Sequence, residues 1–149
     1  MLLTYNIERT EYGVKLIFGS FIDYDEMIQW QQESKAILPQ LEKPFHVFVD
    51  MRDLQPLPRE AREVMVDTQN YYRQMGMDRS VVILSNLVTT IQFKRIARES
   101  GIADREKYID ASLHVDEWET LAMGWLLDET DPDGITQYEV VAKEQNINI

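Results

Sequence analysis

The fold is decided between residues 45 and 75, where the chain reads Phe45-His46-Val47-Phe48-Val49 and then Asp50-Met51-Arg52-Asp53. The first five residues are almost uniformly apolar, which is typical of an interior strand covered on both faces. Pro56 and Pro58 then mark a loop, and a helical pattern follows. We therefore predict a central strand that ends near Val49, a loop, and a long helix.

The helix after this loop has the clearest period in the chain. Its core-facing positions recur at three- and four-residue steps, and they are Ala61, Val64, Met65, Thr68, Tyr71, Tyr72 and Met75. Gly76 follows as a natural helix terminator. The stretch as a whole thus predicts a strand–loop–helix unit.

Similar patterns flank this unit on both sides. Before it, short strand patterns at Leu3–Glu8 and Val14–Phe18 with Gly13 between them indicate a hairpin. Asp23 and Glu26 then resemble a capping box that starts a helix ending near Leu38, before Pro39. After it come a strand at Ser80–Leu84, a helix through Leu87, Val88, Ile91, Ile96 and Ala97 to Gly101, a strand at Lys107–Asp110, and a helix from about Val115.

Strands that alternate with helices in this way predict an α/β fold. Its sheet should be mixed but mostly parallel, with the N-terminal β-hairpin as an antiparallel edge. The last helix carries an apolar stripe that includes Trp118 and Trp125. We expect one domain over residues 1–127, followed by an acidic linker and a tail over residues 128–149.

The composition argues against several classes of protein. Of 149 residues, 44% are hydrophobic, so a packed core is expected and disorder is not. A formal charge of −11 would repel a phosphate backbone, so we expect no nucleic-acid partner. No run of apolar residues is long enough for a transmembrane segment. The absence of cysteine and of an N-terminal secretory signal leads us to expect a cytoplasmic location.

No motif in the sequence points to catalysis. The two histidines, His46 and His114, lie far apart, and neither belongs to an HExxH or Gly-rich phosphate motif. No serine has a G-x-S-x-G setting. We expect His46 to be a hydrogen-bonded structural residue, and we assign no catalytic residue, metal or cofactor.

The carboxyl ends of the strands are the expected place for a binding surface. In α/β units loop side chains and unpaired helix N–H groups converge there. The residues that should occupy it are Asp50, Arg52, Asp53, Arg59, Glu60, Ser85 and Asn86. Neighbouring charges such as Arg52 with Asp53 and Arg59 with Glu60 could either bind a partner or neutralise each other.

The segment Val47-Phe48-Val49-Asp50-Met51-Arg52-Asp53-Leu54 resembles the central strand of the STAS and SpoIIAA-like family, and a looser resemblance covers Leu2–Leu127. The resemblance implies a bacterial regulatory module that binds other proteins. Some members carry a phosphorylatable serine at the start of the following helix, a position near Arg59 or Glu60 here. No serine, threonine or tyrosine occurs from Met51 through Asp67, so we expect no hydroxyl phosphoswitch in this loop.

Other functions stay open at this point. The related SEC14-like fold binds lipids, so a small apolar ligand could occupy a cavity between the helices and the sheet. An enzyme would require Asp50, Ser85, Asn86 and Asp110 to converge in one pocket. The apolar face of the last helix and the tail also make a homodimer plausible.

Overall fold

A five-stranded sheet organises residues 4–133, which are the residues that the computed structural model describes. Its strands lie side by side in chain order: β1 (Tyr5–Arg9), β2 (Gly13–Ser20), β3 (Phe45–Leu54), β4 (Met77–Leu84) and β5 (Glu106–Asp110). β1 is antiparallel to β2, and β2 to β5 are parallel to one another. The predicted α/β fold with a mostly parallel sheet and an N-terminal hairpin is confirmed, with β3 at the centre.

Four helices cover the two faces of this sheet. Helices α1 (Tyr24–Ile37), α2 (Arg59–Gln74) and α3 (Leu87–Ser100) pack on one face, and α4 (Trp118–Asp128) packs on the other. Short 3-10 turns follow α1 at Leu38–Gln40 and precede β5 at Ala103–Arg105. None of the helices within residues 4–133 is both long and apolar enough to cross a membrane.

The hairpin between β1 and β2 depends on Gly13. This residue has φ +148°, and a Cβ added there would lie 2.2 Å from the carbonyl oxygen of His46 on the neighbouring β3. Since two heavy atoms cannot approach so closely, only glycine lets the start of β2 lie against the start of β3.

The two faces of β3 explain its nearly continuous apolar sequence. Val47 and Val49 face the main core under α1 to α3, where Trp30 lies 5.1 Å from Phe18 and 5.7 Å from Tyr72, measured between ring centroids. Phe48 faces the opposite way, into the smaller core under α4. The prediction that this strand is covered on both faces is confirmed.

β3 is longer than the sequence pattern indicated. We predicted an end near Val49, but the strand continues to Leu54 because β2 extends beside it, pairing Gly19 with Asp53 and Ser20 with Leu54. A bulge lies in this extension, since Ile17 pairs with Asp50 but Gly19 pairs with Asp53. The extra residue interrupts the alternation of inward and outward side chains, which made the segment look like a loop.

The start of α4 and one capping contact of α1 differ from the prediction. Helix α4 begins at Trp118 and not near Val115, because a hydrogen-bonded turn from Asp110 to His114 comes first. Asp23 caps α1 by accepting from the Glu26 N–H at 2.9 Å. Glu26 does not close the capping box, however, because its carboxylate accepts from the backbone N–H and the hydroxyl of Thr4 instead.

Candidate functional site

The predicted site residues divide into two groups in the structure. Asp50 and Arg52 lie on the α4 side of β3, where Arg52 stacks on Trp118 with 4.5 Å between the guanidinium carbon and the ring centroid. The others lie at the carboxyl edge of the sheet, by which we mean the last two residues of β2 to β5, the loops that follow these strands, and the first five residues of the next helices. They are Asp53, Arg59, Glu60, Ser85 and Asn86.

Asp50 and Arg52 form a two-point ion pair. The Arg52 guanidinium donates to both carboxylate oxygens of Asp50, at 3.0 and 2.9 Å, and this hydrogen bonding raises the pKa of Arg52. Arg52 is thus hydrogen-bonded to Asp50 and not to its sequence neighbour Asp53. Because the Arg52 side chain is 42% exposed, solvent screening limits such a pair to less than about 1 kcal/mol.

The charges at the start of α2 are arranged differently from the prediction as well. Arg59 is paired with Glu63, one helical turn later, at 3.7 Å, and not with Glu60. The Arg59 side chain is 91% exposed, so this pair holds it weakly. Arg59 and Glu60 thus remain accessible to a partner at the carboxyl edge.

Hydrogen bonds between neighbouring loops hold the carboxyl edge in place. The side-chain amide of Gln92 in α3 forms two hydrogen bonds with the backbone of Leu57. It accepts from the Leu57 N–H at 2.7 Å and donates to the Leu57 carbonyl at 2.9 Å. The Gln55 N–H donates to the Ser20 carbonyl at 3.0 Å, which connects the loop after β3 to the last residue of β2. Asn86 caps α3 by accepting from Val88 and Thr89. A surface held in this way is ordered before a partner arrives, which lowers the entropic cost of binding.

Apolar side chains are concentrated on this same edge. Of the nine large hydrophobic residues that are exposed within residues 4–133, seven lie there and two lie elsewhere, at Ile17 and Leu127. A solvent-exposed apolar surface often marks a site of interaction with another molecule. The seven are Phe21, Tyr24, Leu87, Val88, Ile91, Leu113 and Val115.

Three of these seven belong to the apolar pattern from which helix α3 was predicted. The buried side chains of α3 include Thr89, Phe93, Ile96 and Ala97, whereas Leu87, Val88 and Ile91 are exposed. Their spacing in the sequence indicates this exposure, because positions 87, 88 and 91 are out of helical phase with the buried positions. The sequence analysis counted them together as one apolar pattern and so missed the surface.

A groove lies at the outer end of this surface. It has a volume of about 240 Å³ and is bounded by the start of α3, by β5 and by the loop between β5 and α4. We call it the β5 groove. Its lining includes Leu87, Lys94, Tyr108, Leu113, Pro132 and Asp133.

The main core contains a small interior cavity with polar groups in its wall. Its volume is about 30 Å³, which is room for one or two water molecules and far below the several hundred Å³ of a typical small-molecule site. Trp30 lines it, and the indole N–H of Trp30 has no hydrogen-bond partner among the described residues. An apolar ligand would need the helices to move away from the sheet.

Glu106 is the most unusual titratable group in this core. It is 5% exposed, accepts from Ser80 Oγ at 3.1 Å and from Tyr108 Oη at 2.5 Å, and forms no ion pair within residues 4–133. Burial raises its pKa to about 7, although the two hydrogen bonds act in the opposite direction. The sequence analysis did not select Glu106, because a single glutamate before a short strand carries no visible pattern.

The four groups considered for catalysis are engaged separately. Asp50 is bonded to Arg52, Asn86 caps α3, and Asp110 accepts from the backbone and hydroxyl of Ser112. Ser85 is exposed at the end of β4. Of these four, only Asp110 lines the β5 groove.

His46 is half-buried at the opposite edge, at the start of β3. Its Nδ1 accepts from the Arg79 backbone N–H at 3.2 Å, as expected for a structural histidine. Burial, followed by the charge of Arg79, lowers the pKa of His46. Arg79 itself donates to the Leu126 carbonyl at 3.1 and 2.8 Å, which satisfies the carboxyl end of α4.

No group of three or more His, Asp or Glu side chains in the part of the chain that the structure describes is arranged to hold a metal ion. In comparisons with known proteins, no family model matches the sequence, and no curated protein matches it at a significant level.

Proposed function

We propose that this chain is a non-enzymatic regulatory module of the STAS/SpoIIAA-like type that binds a protein partner through the carboxyl edge of its sheet. The observation that carries the proposal is the placement of seven exposed large hydrophobic residues on that edge. Arg59 and Glu60, which begin the helix after β3, supply charge of both signs at the same edge.

Three further features support this proposal. The order of elements, a hairpin followed by strands and helices in turn, is the order expected for such a module. The loops of the edge are fixed by hydrogen bonds, as in surfaces that bind without large rearrangement. A combination of apolar and charged side chains is also usual in protein–protein interfaces.

Binding at this edge should not be controlled by phosphorylation of the loop after β3. Residues 51–67 contain no hydroxyl group, and Glu60 places a permanent negative charge in the first turn of α2. Phosphopeptide mapping that found a modified residue in this stretch would contradict this part of the proposal.

The proposal can be tested by affinity capture with matched charge variants. The tagged full chain, its Leu87→Glu variant and its Leu127→Glu variant would be incubated with extract of the source organism. A captured protein would then be purified and titrated against each form. We expect Leu87→Glu to weaken binding about tenfold or more, because a charge would be buried at the interface.

The Leu127→Glu control changes an equally apolar, exposed residue at the opposite edge and should bind normally. Equal loss in both variants, or no loss in either, would overturn the proposed surface. Native mass spectrometry adds a separate check, since a reproducible apolar adduct on the purified chain would favour a ligand carrier. If the purified protein instead forms a complex only with itself, the partner at this edge would be a second copy of the chain and not a different protein.

A further inference from the structure

The route of the chain after α4 points to what covers the β5 groove. Glu129 lies beside Arg105 at 2.7 Å, and Asp131 lies beside Lys107 at 3.3 Å. Pro132 and Asp133 then form part of the groove wall together with Ile109 and Asp110. Residues 129–133 therefore run along β5 from its start to its carboxyl end.

The described part of the chain ends in the wall of the groove. Asp133 is the last described residue, and Leu113 and Leu87 line the same groove. Two to five residues of extended chain reach about 7 to 17 Å, so residues 135 and 138 are within reach of the whole groove without any movement of the domain.

The sequence that follows changes from acidic to apolar. Residues 128–133 contain four acidic side chains, whereas residues 134–142 contain Ile135, Tyr138, Val140 and Val141 with a single charge at Glu139. The groove supplies apolar side chains at Leu87 and Leu113 and one lysine, Lys94. Its volume of about 240 Å³ suits side chains of a peptide better than a drug-sized molecule.

We propose that residues 134–149 bind in the β5 groove of their own chain and cover Leu87 and Leu113. A tethered segment needs only weak intrinsic affinity, because a short linker gives an effective concentration in the millimolar range. If the proposed function is correct, the segment competes with the partner for the outer end of the carboxyl edge. The intramolecular contact itself requires no partner.

A photo-crosslinker placed in the groove tests this directly in the full chain. Leu113→p-benzoylphenylalanine would be illuminated in dilute solution, and the products would be separated by size and digested for mass spectrometry. The matched control is Leu127→p-benzoylphenylalanine, which is exposed like Leu113 but lies at the opposite edge of the sheet. Leu127 is nearer to the segment in sequence, so nearness along the chain cannot produce the expected difference.

We expect Leu113 to crosslink to residues 134–149 in a product of monomer size, with a yield several-fold above that of Leu127. The yield should fall to the Leu127 level when Val140→Asp and Val141→Asp are added, because charged side chains would oppose burial against Leu87 and Leu113. A crosslink to a second copy, equal yields at both positions, or products confined to residues 4–133 would each overturn the proposal.

Hydrogen exchange provides a second readout that needs no crosslinker. Amides of residues 111–115 should exchange several-fold faster in the Val140→Asp/Val141→Asp chain than in the unmodified chain. Unchanged exchange would contradict the proposal even if a crosslinking variant failed to fold. If either test fails, the proposed binding of the segment in the β5 groove is wrong. The proposed partner binding is tested separately, by affinity capture.

Discussion

Glu106→Gln should change how the stability of this protein depends on pH. Glu106 is buried without a cation among residues 4–133, and its pKa in the folded state is raised from 4.5 to about 7. An acid whose pKa is raised by folding stabilises the fold only while it is protonated. Its contribution is therefore complete below about pH 4.5 and is lost as the pH rises through about 7.

The size of the effect follows from the pKa shift. A shift of about 2.5 units corresponds to about 3 kcal/mol, of which about 2 kcal/mol falls between about pH 5.5 and pH 8. The neutral form is well accommodated, since Glu106 can donate to Tyr108 Oη while the tyrosine donates to the Phe93 carbonyl at 3.2 Å. Glutamine offers an N–H for the same donation, so the variant should keep these contacts.

The assay is urea unfolding of both chains, followed by tryptophan fluorescence across this pH range. The lowered pKa of His46 makes the stability of both proteins rise with pH below about 6.5. Because this contribution is the same in both, it cancels when one free energy of unfolding is subtracted from the other, and the difference reports on Glu106. Glu11→Gln serves as a control for the loss of one exposed negative charge. We expect Glu106→Gln to gain about 2 kcal/mol over the unmodified chain as the pH rises to about 8.

Parallel curves, differing by less than about 0.5 kcal/mol in pH dependence, would refute the reasoning. They would mean that the folded chain ionises Glu106 as easily as the unfolded chain does. Burial under α3 would then not exclude water from this carboxyl, and the description of the main core around the interior cavity would have to change.

Two other variants test the local structure. Gly13→Ala should lose at least about 2 kcal/mol of unfolding free energy, because its Cβ would lie 2.2 Å from the His46 carbonyl; an unchanged thermal midpoint would contradict this close approach. A double-mutant cycle of Asp50→Ala and Arg52→Ala should give a coupling of less than about 1 kcal/mol, since the pair is partly exposed. A coupling above about 2 kcal/mol would indicate that this pair is a buried structural element.

The core of the fold could be predicted because its signals are local. The apolar run in β3 and the period of α2 are patterns of neighbouring residues, and Gly13, Gly76 and Gly101, which mark turns or helix ends in the sequence, all have positive φ in the structure. The extension of β3 to Leu54 could not be predicted in this way. It depends on pairing with Gly19 and Ser20, which are more than thirty residues away in the chain.

The candidate site was only partly predictable for the same reason. The carboxyl edge follows from the order of elements, so Arg59, Glu60, Ser85 and Asn86 were placed correctly at that edge. Asp50 and Arg52 were not, because the side of a strand on which they lie depends on its bulge and its true end. The exposed apolar residues of α3 were missed because they were taken together with the buried positions as one pattern, although they lie on the other side of the helix.

The most direct test of the central claim is a hydrogen-exchange footprint of the purified partner on the full chain. If the partner binds at the carboxyl edge, exchange should slow at residues 21–24, 85–91 and 111–115, the three parts of this edge that carry exposed apolar side chains. Residues 9–13 and 126–127 at the opposite edge should be unaffected. Protection confined to that opposite edge, or to the outer faces of α1 and α2, would show that the partner binds elsewhere and would contradict the account.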